Sequence, residues 1–186
     1  MKKELFKELN AHIREQDTKS FALAVAYTAT AAYITSEHNL REELSLIFRH
    51  SFHNEGDAEL YSHEVALSAA LLLGYIVFFI LLWYRNWKVH YLDVCYKLWC
   101  EEKKEFGENV PIWLRQPPEF RSLDVITRSV PLFITTFQVV RLGMVICGDV
   151  QKYPIEYIIE IILMVVCHLA IMYVIFLTVE NCKLKA

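Results

Sequence analysis

Residues 65–84 read VALSAALLLGYIVFFILLWY, twenty residues without a charge. As a helix rising about 1.5 Å per residue, this stretch is about 30 Å long, the thickness of a bilayer's hydrocarbon core. Trp83, Tyr84 and Trp87 gather at its C-terminal edge, where aromatic side chains collect at a membrane surface, and Arg85 and Lys88 close it. Core helices of soluble domains seldom run so far without a charge. The stretch predicts an integral membrane protein with at least one transmembrane helix.

Composition agrees with that. Of 186 residues, 55% are hydrophobic, and the mean hydropathy is +0.26, more than a soluble core needs. The net charge of -3 identifies no class of partner, but its distribution orients the chain. Residues 37–64 hold two Lys/Arg and seven Asp/Glu, whereas residues 85–128 hold eight and seven. Lys and Arg set orientation, so the basic region after Tyr84 is expected in the cytoplasm. The five cysteines are odd in number and form no Cys-x-x-Cys pair, which predicts reduced thiols acting as small hydrophobes. Residues 1–19 are too charged for the apolar core of a secretory signal.

Working outward, residues 1–19 place Leu5, Phe6, Leu9 and Ile13 on one helical face. That amphipathic helix is expected to pack on the rest of the protein in preference to lying on a membrane surface. Residues 21–36, FALAVAYTATAAYITS, are uncharged and rich in alanine, which suits a slightly short second span packed closely on its neighbours. Residues 37–64 are acidic and contain His38, His50, His53 and His63. His50-x-x-His53 has a metal-ligand spacing, but no third ligand follows at a recognisable distance. A polar helix or loop is expected there, with no metal and no cofactor. Residues 1–64 thus form an N-terminal helical part.

Beyond the span, Tyr84, Trp87, Tyr91, Val94 and Leu98 recur at spacings of 3, 4, 3 and 4, a heptad-like seam with Lys88, Asp93 and Lys97 off it. No proline or glycine intervenes before Gly107, so 62–106 reads as one long helix, half in lipid and half in water. The aromatic stripe then packs on the chain's own helices or on another subunit. Pro111, Pro117 and Pro118 mark 107–128 as a Pro-rich loop, anchored by Trp113 and Phe120. Residues 129–186 read as an apolar helical hairpin with a turn at 148–154. Its first arm, 129–148, contains Gln138 and Arg141. It is either a span with an intramembrane arginine or a core helix outside the membrane, and Thr135, Thr136 and Gln138 favour the second. Its second arm contains a further span at about 161–179, with His168 at mid-length as a hydrogen-bonded packing residue. No strand alternation, repeat or glycine-rich phosphate loop is present. The expected fold is all-α, a single helical membrane domain over 1–186.

One motif carries chemistry. Arg85, Asn86 and His90 have the form Arg-Asn-x-x-x-His, with the Asn and His on one helix face. A metal-independent ribonuclease uses these types: His moves protons, Arg stabilises charge on phosphorus, and Asn orients either one. The same residues also read as a basic anchor at the membrane edge, and an Arg…His spacing of this kind arises about once by chance in such a chain.

An amphipathic N-terminus, a clean span, then Arg85-Asn86…His90 and an all-α remainder resemble the small HEPN-like membrane accessory protein of RNA-targeting type VI-B CRISPR systems. The resemblance implies a helical cytoplasmic HEPN-like part and an octameric, pore-like ring in the bacterial inner membrane. It also implies a role in antiphage defence, in which the ring depolarises the membrane in support of an RNA-guided ribonuclease. Its partners would be further copies of the chain, the bilayer and, functionally, that ribonuclease. The family's motif is divergent, so the resemblance does not imply catalysis. In the ring, the seam Tyr84, Trp87, Tyr91, Val94 and Leu98 would contribute subunit contacts. Two other readings stand beside it: a membrane-tethered HEPN-type ribonuclease, and a small two-span defence effector gated by a nucleotide signal.

Overall fold

A computed structural model describes residues 2–36, 38–48, 55–102, 122–146 and 154–183. Apart from a turn at Glu102, all of these are helical: α1 (Lys2–Ser36), α2 (His38–Phe48), α3 (Glu55–Glu101), α4 (Ser122–Ile146) and α5 (Pro154–Lys183). The all-α expectation holds over these residues.

The amphipathic N-terminus and the alanine-rich segment are one helix, α1, because neither Gly nor Pro interrupts 2–36. The long third helix starts at Glu55, ahead of the expected 62, and spans 47 residues, about 70 Å. The fourth starts at Ser122, so 122–128 belong to a helix and not to the Pro-rich connection; Pro118 is the last residue of that run able to break one. Pro154 opens α5 at the position where a missing N–H costs least. Trp113, Phe120, His50 and His53 lie outside the described residues.

α1 runs antiparallel to α3. Near one end Leu9 and Ile13 pack with Leu92, Cys95 and Trp99, and farther along Ala24, Tyr27 and Ala31 pack with Val77 and Leu81. The alanines let the two backbones approach closely. α5 runs parallel to α3, with Phe78 and Leu82 against Met172 and Val179. α4 fits between them in the opposite sense: Thr135 and Thr136 reach His168, and Gly143 lies against Ile161 and Met164. α2 packs on α3. The four long helices therefore form an up-and-down bundle in which the middles of 21–36, 65–84, 129–145 and 158–179 share one level.

Among the described residues two helices are long and apolar enough to cross a membrane, within Leu60–Glu101 and Ile158–Val179, and Ser129–Val145 is a shorter apolar helix. They differ in burial. Of the most apolar window, 44% is buried in α3 but only 11% in α5. Ile158, Ile162, Leu163, Val166 and Val174 of α5 all stand exposed. A soluble fold would cover such a helix.

Residues 129–145 form a shorter apolar helix than the two candidate spans. α4 lies beside 74–82 of α3, at the level of the candidate span. The threonines that favour a core helix outside the membrane hide their polarity locally. Thr135 donates to the Pro131 carbonyl at 2.7 Å and Thr136 to the Leu132 carbonyl at 2.7 Å. Thr28, Thr35 and Thr178 do the same one turn back, each at 2.8 Å. Hydroxyls bonded to their own helix are compatible with an apolar surround.

Candidate functional site

The bundle's middle is polar, and all four long helices contribute. α1 supplies Tyr27, α3 Gly74 and Tyr75, α4 Thr135, Thr136 and Gln138, and α5 His168. Tyr27 donates its hydroxyl to Gln138 Oε1 at 3.3 Å. Tyr75 Oη lies 2.9 Å from His168 Nδ1, and the hydroxyls of Thr135 and Thr136 lie 3.4 and 3.2 Å from Nε2. Because both threonines spend their protons on backbone carbonyls, their oxygens face His168 as acceptors. Nε2 therefore carries the hydrogen and Nδ1 accepts from Tyr75, which defines the neutral Nε2–H tautomer. His168 is 2% exposed, so every polar edge of the ring is used inside the protein. Its ring ties α5 to both α3 and α4.

Gly74 makes this layer possible. A Cβ there would run into the Thr135 methyl and the Tyr27 hydroxyl. Neither Gly74 nor Tyr27 and Tyr75 stood out in the sequence as site residues. The signal available was positional: each apolar segment has its polar or glycine residues near its own midpoint.

A second polar layer lies at the end of the span, about 16 Å farther along α3. Lys88, 3% exposed, pairs with Asp17 of α1. Asn86 donates Nδ2 to the Val179 carbonyl of α5 at 3.1 Å. Arg85 is buried beside them. Half of a hydrocarbon core is about 15 Å, so this layer falls at the membrane edge if the first lies at mid-depth.

The predicted seam borders these positions. The stripe that α3 turns inward is Arg85, Lys88, Leu92, Cys95 and Trp99, with the predicted 3, 4, 3, 4 spacing but shifted by one residue. Lys88, expected off the seam, lies on that inward stripe because Asp17 neutralises it there. Tyr91, Val94 and Leu98 border that stripe and pack partly against Leu9, Ile13 and their neighbours. Tyr84 is half-buried, and Trp87 is 45% exposed. Trp87 sits 6.0 Å from Tyr91 and edge-on to His90 at 6.4 Å, while His12 of α1 stacks on Tyr91 at 5.5 Å.

The Arg-Asn-x-x-x-His residues do not converge within one chain. Arg85 faces the interior, Asn86 bonds to α5, and His90 is exposed. Arg141 is half-buried on α4 and makes no hydrogen bond or ion pair with the described residues. Among the described residues no group of three or more His, Cys, Asp or Glu could hold a metal ion. Outside the apolar segments, burial pushes the Cys95 thiol up to about 11, and the Lys19 ammonium beside Glu15 (2.7 Å) lowers that carboxyl below its usual range. Comparison with family models, curated proteins and solved structures finds no match to this chain.

Proposed function

We propose that the chain is a four-span membrane bundle that assembles with copies of itself into a pore-like ring, and that this ring depolarises a bacterial inner membrane in antiphage defence. The observation that carries the membrane part is α5: a 22-residue apolar helix, 11% buried, attached to a bundle whose polar groups point inward. In that placement 21–36, 65–84, 129–145 and 158–179 all cross. The chain segments 1–19, 85–128 and 180–186 then share one side and carry 15 of the 19 Lys/Arg. Only Arg41, Arg49 and Lys152 fall on the other side, and Arg141 lies within. An asymmetry of 15 against 3 orients the basic side to the cytoplasm. It also leaves both termini there, and it joins 21–36 to the spans by the antiparallel packing of α1 on α3.

The ring, the defence role and the functional link to an RNA-guided ribonuclease rest on the resemblance in layout. Trp87 supports a contact between copies, because it is the one exposed member of the predicted seam. The ribonuclease reading gains nothing from the geometry, since Arg85 and His90 face different surroundings.

Purified protein in liposomes, with potassium trapped inside and a voltage-sensitive dye outside, tests the reading. The expected result is loss of an imposed potential, without metal-independent cleavage of single-stranded RNA. Tight liposomes together with RNA cleavage that disappears in His90→Ala would replace the pore by the nuclease.

A further inference from the structure

We infer that the outward stripe of α4, formed by Phe133, Phe137, Arg141 and Met144, lines the water-filled lumen of the assembly, with Arg141 biasing it toward small anions. The inference rests on the pore reading and adds its lining and its selectivity. The four residues recur at spacings of 4, 4 and 3, which puts them on one helix face. Phe133 is 73% exposed, and Phe137 and Met144 are exposed with it. Within 21–36, 65–84, 129–145 and 158–179 the charged residues are Arg141 and, at the start of the last segment, Glu160.

Its depth makes lipid an unsuitable environment. Arg141 lies about 8 Å along α4 from Thr136, which belongs to the mid-bundle layer, so its Cα is well inside the hydrocarbon thickness. Reaching the nearer surface would require the side chain to extend toward the C-terminus of α4. Helical side chains lean toward the N-terminus instead, here toward the middle of the bundle. The Arg141 guanidinium presents five N–H donors, which hydrocarbon cannot satisfy. It also has no ion-pair partner among the described residues. Glu160 of α5 sits about one turn farther along, past the level where Gly143 meets Ile161 and Met164. An unpaired charge at such depth faces water or a partner, and in a homo-oligomer the α4 stripe of every copy is repeated around the axis. Rings of Arg favour anions, and apolar rings such as Phe133 and Phe137 gate by excluding water.

Planar-bilayer recordings across a potassium chloride gradient decide the matter. The expected reversal potential shows chloride preferred over potassium in the native protein. Arg141→Gln should lose that preference while conductance persists, and Arg141→Lys should keep it. Phe137→Ser should raise basal conductance by widening the wetted path. Conductance without anion preference, or a preference indifferent to Arg141→Gln, would overturn the lining. If Arg141→Gln instead breaks the assembly into smaller species in detergent, the guanidinium pairs with a neighbouring copy and the lumen assignment is wrong. Absence of any conductance in the native protein would remove the pore reading itself, a result distinguishable from the other two.

Discussion

Single residues hold the bundle's middle together, and each can be tested alone. Gly74→Ala puts a methyl where Thr135 and Tyr27 already stand, so it should destabilise the protein by about 1–3 kcal/mol, read as a lower melting temperature in detergent. An unchanged melting temperature would mean the helices are not that close. Tyr75→Phe removes the donor to His168 and should cost about 0.6–1.7 kcal/mol, the range for hydrogen bonds between membrane helices. In a double-mutant cycle, Tyr75→Phe should cost little once His168→Leu has removed the acceptor; full additivity would show that the bond contributes nothing. Cys95 gives a pH dependence. Its thiol is held at about 11 by burial, above the ordinary value of about 8.5, so the folded state binds the proton more tightly. That preference is fully present below about 8.5 and stability is lost as pH rises toward 11, at up to about 1.4 kcal/mol per pH unit. Cys95→Ala should flatten this part of the stability profile, and native Cys95 should resist alkylation at neutral pH.

At the scale of elements, the candidate span at 65–84 is legible because charge is absent over a whole bilayer's thickness. The register of its wet half was less so. Counting Lys88 off the seam selects Tyr84, Trp87, Tyr91, Val94 and Leu98, one residue from the stripe that α3 buries, and nothing in sequence announces that Asp17, seventy-one positions away, neutralises Lys88. Likewise the polarity of Thr135 and Thr136, which favours a core helix outside the membrane over a span for 129–148, is partly hidden in the fold, because their hydroxyls bond to their own helix. The polar layer was hidden for the opposite reason: Tyr27, Gly74 and Gln138 are ordinary one by one, and only the packing of four midpoints brings them together. The lipid-facing role of α5 can be checked by thiol chemistry. Cys167 is exposed on the helix, yet a charged methanethiosulfonate should leave it unmodified in intact membranes and modify it after denaturation. Rapid labelling in membranes would place that face in water. Val166→Arg on the same face should weaken insertion by roughly 2.5–3.5 kcal/mol, seen as a larger carbonate-extractable fraction.

For the whole molecule, the account stands on four crossings, an even number with both termini on the basic side. The most direct measurement is the sidedness of three reporter fusions, placed after Phe48, after Lys104 and after Lys185. The account predicts that the fusions after Lys104 and Lys185 report the cytoplasm, while the fusion after Phe48 reports the opposite side. A cytoplasmic reporter after Phe48, or opposite sides for the other two, would contradict it.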